Sequence, residues 1–155
     1  LHSWPVAGIL ELVDGHPRRR FEPGEIVLEQ GAPASDLFVL LEGEVEVLRD
    51  DVRVAKTAEP GAVFGEMSVL LGGACTATVR AIKPCTFATV EDAAGFLRDS
   101  PTASLHVAVL LARRLDALNK YLIDVKRQYE GHDHLGMVDE VLETLMYRQP
   151  QEPPS

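Results

Sequence analysis

Cysteine is scarce in this chain. Cys75 and Cys85 are the only two in 155 residues, and they fit neither a metal-ligand spacing nor a disulfide framework. A reducing, cytoplasmic setting is the expectation that follows. Long apolar runs are also missing, none approaching the roughly 20 residues that cross a bilayer, so no membrane partner is expected. The start, Leu1-His2-Ser3-Trp4-Pro5, lacks the basic-then-apolar order of a secretory signal and has no initiator methionine, which suggests a processed or excised N-terminus.

Positive charge is short as well. Fifteen Lys and Arg stand against 24 Asp and Glu, a formal net charge of −9. That balance argues against the chain gripping nucleic acid by itself. The one basic run, Arg18-Arg19-Arg20, reads as a solvated turn ahead of a strand. All five histidines, His2, His16, His106, His132 and His134, fall outside the strand-rich region, so no metal-binding barrel is built. His132 and His134 lack the neighbouring ligands a site needs; no metal and no cofactor are expected. No nucleophile, base and orienting group come together, so the chain does not read as an enzyme.

What is present is an ordinary globular composition, 46% hydrophobic and 25% charged, in a length that suits one domain with a real core. Pro5 to Asp14 reads as a short helix, with Val6, Ile9, Leu10 and Val13 on one face. From Phe21 to about Val90 the chain breaks into short Val-, Leu-, Phe- and Thr-rich runs. Pro23-Gly24, Gly31-Ala32-Pro33, Glu42-Gly43 and Pro60-Gly61 punctuate them, and Asp50-Asp51 supplies a hairpin turn. The fold class is therefore α+β: an antiparallel β-roll or jelly-roll barrel of about eight short strands. An N-terminal helix precedes it, and a long C-terminal helix plus a final shorter one follow. Ala93–Arg98 is a short helix, and Thr102 to about Tyr129 one long helix. Domain bounds fall at 1–130 for the barrel with its long helix, 131–148 for the terminal helix and 149–155 for a proline-rich disordered tail.

On the long helix Leu111, Leu115, Leu118, Leu122 and Val125 recur at alternating spacings of four and three, a heptad seam. Packing on the barrel is one use of it; self-association as a homodimer is the other, favoured because the seam is narrower than one-sided burial needs.

The densest signal is Phe64 to Val79, FGEMSVLLGGACTATV. Phe-Gly-Glu, a short apolar turn, a small-residue loop and a β-type Thr-Ala-Thr-Val run make a compact anion-cradling device. This passage resembles the phosphate-binding cassette of the cyclic nucleotide-binding domain family. The preceding sheet residues, FEPGEIVLEQGAPASDLFVLLEGEVEV, are similar to that family in order, so the resemblance covers residues 21–90. It implies a regulatory sensor of a cyclic nucleotide, cAMP ahead of cGMP. Alternatives are a ligand-silent dimerisation or docking module, and the sensor half of a Crp/Fnr-type transcription regulator without its helix-turn-helix.

The resemblance also implies roles. Phe64 anchors the strand end and Gly65 lets the backbone approach the sugar. Glu66 accepts from the ribose 2′-hydroxyl. Amides of Gly65, Glu66 and Met67 meet the phosphate, joined by the Thr76 hydroxyl and the Ala77 amide, and Asn119 on the long helix addresses the purine edge. Where the family carries an arginine, this chain has Cys75. Losing such a charge pair costs about 2–5 kcal/mol, so the phosphate site is expected to be weakened. Arg80 lies five positions on, on the opposite strand face, and is a poor substitute.

Overall fold

Two adjacent aspartates make a two-residue hairpin turn of the barrel. Asp50 and Asp51 have φ of 52° and 63°, the left-handed pair that matches the twist of antiparallel strands. Gln30 holds the turn: its Nε2 donates to Asp50 Oδ1, and the Asp50 amide donates to Gln30 Oε1, each at 2.9 Å. The hairpin joins β4 (Val45–Arg49) to β5 (Val52–Thr57), as the sequence leads one to expect.

The structure, a computed structural model, describes residues 7–129 and 144–149. The other elements are α1 (Ala7–Leu12), β1 (Arg18–Phe21), β2 (Ile26–Leu28), β3 (Leu37–Glu42), β6 (Val63–Phe64), α2 (Glu66–Leu71), β7 (Thr78–Ala81), β8 (Cys85–Val90), α3 (Ala93–Asp99) and α4 (Pro101–Gln128). Eight antiparallel strands form two four-stranded sheets, ordered β1-β8-β3-β6 and β2-β7-β4-β5. This is the β-roll expected from the turn spacing. Residue alternation points one face of each sheet inward, where Phe21, Leu28, Phe38, Leu40, Val45 and Phe64 surround Phe87.

Arg18-Arg19-Arg20 is not a turn. It forms β1 and pairs with β8 in the register Arg18↔Ala88 to Phe21↔Cys85. Its side chains are exposed, as a solvated run should be, yet the backbone is tied to the sheet. The Arg19 guanidinium lies over the rings of Phe21 and Phe38, 5.0 and 5.9 Å from their centroids, which lets an arginine sit on an edge strand at little cost.

The chain divides into two compact units, Leu1–Ala108 and Val109–Ser155. In the first, α1, α2, α3 and the start of α4 accompany the barrel, with Ala103 and Val107 of α4 buried. In the second, α4 runs on through the seam. Leu115 and Leu118 are exposed there, while Leu111, Leu122 and Val125 are half-buried. The terminal helix expected at 131–148, the tail at 149–155 and the His132/His134 pair lie outside the described residues, apart from residues 144–149, of which 144–147 are helical. No helix among the described residues is long and apolar enough to cross a membrane.

Candidate functional site

The candidate site begins where β6 ends. Val63 and Phe64 are buried and pair with Val39 and Phe38 of β3, which fixes the strand end inside the barrel. Gly65 then turns the chain into α2 with φ 93° and ψ −3°. A Cβ on Gly65 would lie 2.6 Å from the Asp36 carbonyl oxygen and 3.6 Å from Leu28 Cδ1. The bare face of this glycine therefore meets the β2–β3 loop, where a side chain would not fit.

Glu66 opens α2 and is only 5% exposed, a depth that carboxylates reach when they have specific partners or a specific task. Met67, one residue on, is exposed. Ser68 is turned inward. Its Oγ donates to the Ala34 carbonyl at 2.9 Å and also contacts the Gly73 carbonyl, so one hydroxyl ties α2 both to the β2–β3 loop and to its own exit. The Gly72 amide returns to the Ser68 carbonyl at 2.9 Å and closes the helix with φ 71°. Sequence reading passed over Ser68. The available signal was one hydroxyl within the apolar run Met67-Ser68-Val69-Leu70-Leu71.

Cys75 sits deeper than a loop residue should, at 7% exposure, and belongs to the core cluster with Leu28, Phe64 and Val79. Backbone bonds clasp it. Its amide donates to the Ala32 carbonyl at 2.8 Å, and the Gly31 amide donates to its carbonyl at 2.9 Å. Burial pushes its thiol up, and the Ser68 hydroxyl bonded to it offsets only part of that rise. Cys75 is thus a core packing residue whose burial favours the neutral thiol.

Thr76 and Ala77 are half-buried and have no hydrogen-bond partner among the described residues. They lead into β7, whose Val79 pairs with Leu28 of β2. Leu28 therefore lies against the cassette's first turn and pairs with its last strand.

Arg80 does not reach back toward Cys75. Its Nε and a terminal nitrogen both donate to Glu46 Oε2 at 3.3 Å, while Arg53 Nε donates to Glu46 Oε1 at 3.2 Å. Burial raises the Glu46 carboxyl, and the two arginines together more than offset this, holding it below its ordinary value. Arg80 and Arg53 are thereby both committed to one carboxylate. Asn119 stands on α4 in the second unit, half-buried. A separate cleft of about 510 Å³ lies beside α2, where Ser35, Ser68, Gly72 and Asp92 are among its walls; none of the cassette residues singled out from sequence lines it. No group of His, Cys, Asp and Glu capable of holding a metal occurs among the described residues.

Comparison with known proteins agrees with this architecture. A family model described as cyclic nucleotide-binding domain matches residues 18–94. "Glutaminase 2" of Bradyrhizobium diazoefficiens is 39% identical over 121 residues, covering 74% of this chain but 19% of that protein. The "Cyclic AMP receptor protein" of Thermus thermophilus is 31% identical over 104 residues, covering 63% of this chain and 48% of that protein. The crystal structure of the Thermus thermophilus catabolite activator protein superposes with a TM-score of 0.66 at 25% identity, over 77% of this chain and 59% of that one. This chain thus spans less than half the length of Glutaminase 2 and of the cyclic AMP receptor protein, and 59% of the solved catabolite activator chain. With the two-sheet roll, the cassette helix and the match over residues 18–94, the chain belongs to the cyclic nucleotide-binding domain family.

Proposed function

We propose that this chain is the ligand-sensing module of a regulatory protein and binds a cyclic nucleotide, cAMP, at the cassette. The observation that carries the reading is Glu66, a carboxylate buried at the first turn of α2 directly after the Gly65 turn. A buried acceptor at that place suits a ribose 2′-hydroxyl, which can donate to it. The amides that open α2, the Thr76 hydroxyl and the Ala77 amide are the groups left to meet the phosphate. Phe64 and Gly65 hold the turn that presents them. The likeness to a protein named cyclic AMP receptor protein supports cAMP as the ligand. No reaction is assigned to the chain.

Cys75 in place of the family arginine weakens the phosphate contact without abolishing the pocket. Glu66→Ala is expected to reduce cAMP affinity about 10- to 100-fold, the worth of a charge-assisted hydrogen bond of about 1.5–3 kcal/mol. Calorimetric titration reads this directly, and unchanged affinity would remove Glu66 from the site. Ligand can act only through its differential affinity for two arrangements of the chain. The α3–α4 corner is the element we assign to that change. There Ser100 leaves helical geometry at φ −120°, and its Oγ accepts from the Ala103 amide at 3.2 Å.

The module acts as a homodimer in this reading, through Leu111, Leu115, Leu118, Leu122 and Val125. The exposure of Leu115 and Leu118 favours this over a purely intramolecular use of the seam. Charging it by Leu115→Glu with Leu122→Glu is expected to give a monomer in analytical ultracentrifugation, with the barrel's near-ultraviolet spectrum unchanged. A wild-type monomer at tens of micromolar ends the dimer assignment.

A second reading, a ligand-silent docking module, is favoured by one observation: Cys75 has joined the core. Titration of cAMP up to millimolar concentration without heat, together with an intact dimer, selects it.

A further inference from the structure

Charge around the cassette runs one way. Phe64 to Val79 contains no lysine or arginine, and its single charged residue is Glu66. The loop that clasps the cassette, Glu29 to Asp36, has no basic residue either and contributes two carboxylates. That loop is not merely near in sequence terms. It is joined to the cassette by the Gly31–Cys75 and Cys75–Ala32 backbone bonds, by Ser68 to Ala34, and by a bridge between Pro33 and Ala74. Asp92 shares the adjoining cleft with Ser68. The nearest arginine along the chain, Arg80, is held with Arg53 on Glu46. The residue at the arginine position is small, neutral and packed among Leu28, Phe64 and Val79.

We infer that the barrel site selects a neutral, diol-bearing ligand, a nucleoside without its phosphate, over the corresponding cyclic monophosphate. This rests on the reading above that Glu66 faces the ligand. A cyclic phosphate carries one negative charge to a cassette that holds no basic residue and whose one charged side chain is the buried carboxylate of Glu66. Like charges at short range in low dielectric repel, and the amides of a six-residue helix are partial charges that do not balance a full one. A nucleoside keeps the 2′,3′-diol that a carboxylate recognises and brings no charge. Its free 3′- and 5′-hydroxyls can both donate and accept, so Thr76 and Ala77 have partners in it as well. The lost arginine then marks a change of ligand class rather than the loss of a ligand.

The test is calorimetric titration of the whole chain with adenosine, cAMP, guanosine and cGMP at about 150 mM salt, where exposed charge is screened over roughly 8 Å. The expected result is one nucleoside binding at least ~10-fold more tightly than its own cyclic monophosphate, a difference of about 1.4 kcal/mol. Glu66→Ala removes that binding, and Cys75→Arg reverses the order. Tighter binding of either cyclic monophosphate by the native chain overturns this inference and leaves the proposed function standing. Binding of cAMP by Cys75→Arg alone, with nothing bound by the native chain, also overturns it while keeping the pocket. No binding of any of the four by either protein overturns both. Should Cys75→Arg fail to fold, the ratio measured on the native chain decides.

Discussion

Phe87→Ala is expected to lower the unfolding free energy by about 3–5 kcal/mol, the range for emptying a fully buried aromatic site. Phe87 has no exposed surface and stands at the centre of the barrel core. Three rings meet it edge-on. Phe21 lies at 5.6 Å and 90°, Phe38 at 6.1 Å and 87°, and Phe64 at 6.1 Å and 72°. Those three come from β1, β3 and β6, all in the same sheet as β8, so one ring packs against every other strand of its sheet. Each edge-to-face pair adds about 0.5–1.5 kcal/mol to the area term, which places the loss toward the top of the range. Urea denaturation followed by tryptophan-independent circular dichroism measures it. A loss under about 1.5 kcal/mol would mean that the core relaxes into the cavity. Because Phe64 is the residue before Gly65, the same variant is expected to loosen the cassette's anchor.

Those ring contacts show which parts of the molecule were open to sequence reading and which were not. Turns were legible because their chemistry is local. Asp50-Asp51 and the Gly43 position announce a reversal whatever the rest of the chain does, and both have the positive φ such turns require. The long α4 helix and the cassette were legible for the same reason, since periodicity and motif spacing lie within a short window. Strand order was not. The pairing of β1 with β8 joins the two ends of the barrel region, and nothing local in Arg18-Arg19-Arg20 announces it. Without β8 as partner and two phenylalanine rings beneath Arg19, three arginines read as a turn. Cys75 failed in the same way. Its neutrality was evident from its type, but its burial depends on amide and carbonyl groups of Gly31 and Ala32, far back in the chain. The role of Ser68 likewise required the Ala34 carbonyl to be known as a neighbour.

Gly65→Ala is expected to cost about 3 kcal/mol of stability and to impair ligand binding at the same time. Two separate penalties combine. Alanine at φ 93° leaves the ordinary regions of backbone space, worth about 1–2 kcal/mol for a residue with a Cβ. The added methyl then meets the Asp36 carbonyl at 2.6 Å, closer than real Cβ contacts allow, and a carbonyl at the foot of β3 cannot swing aside as a side chain would. Either the β2–β3 loop or the start of α2 must move. Glu66 follows immediately in the chain, so any movement of α2 carries its carboxylate off position. Gly72 supplies the control. It also has positive φ, 71°, but a Cβ there meets nothing within 4 Å, so Gly72→Ala should show the backbone penalty alone. The difference between the two variants in urea unfolding reads the Asp36 contact, and their difference in ligand affinity reads the placement of Glu66. Equal stability losses would mean that the loop yields freely. Equal affinities, with Gly65→Ala folded, would mean that the turn at Gly65 positions nothing the ligand touches, and the assignment of this turn to the site would fall with it.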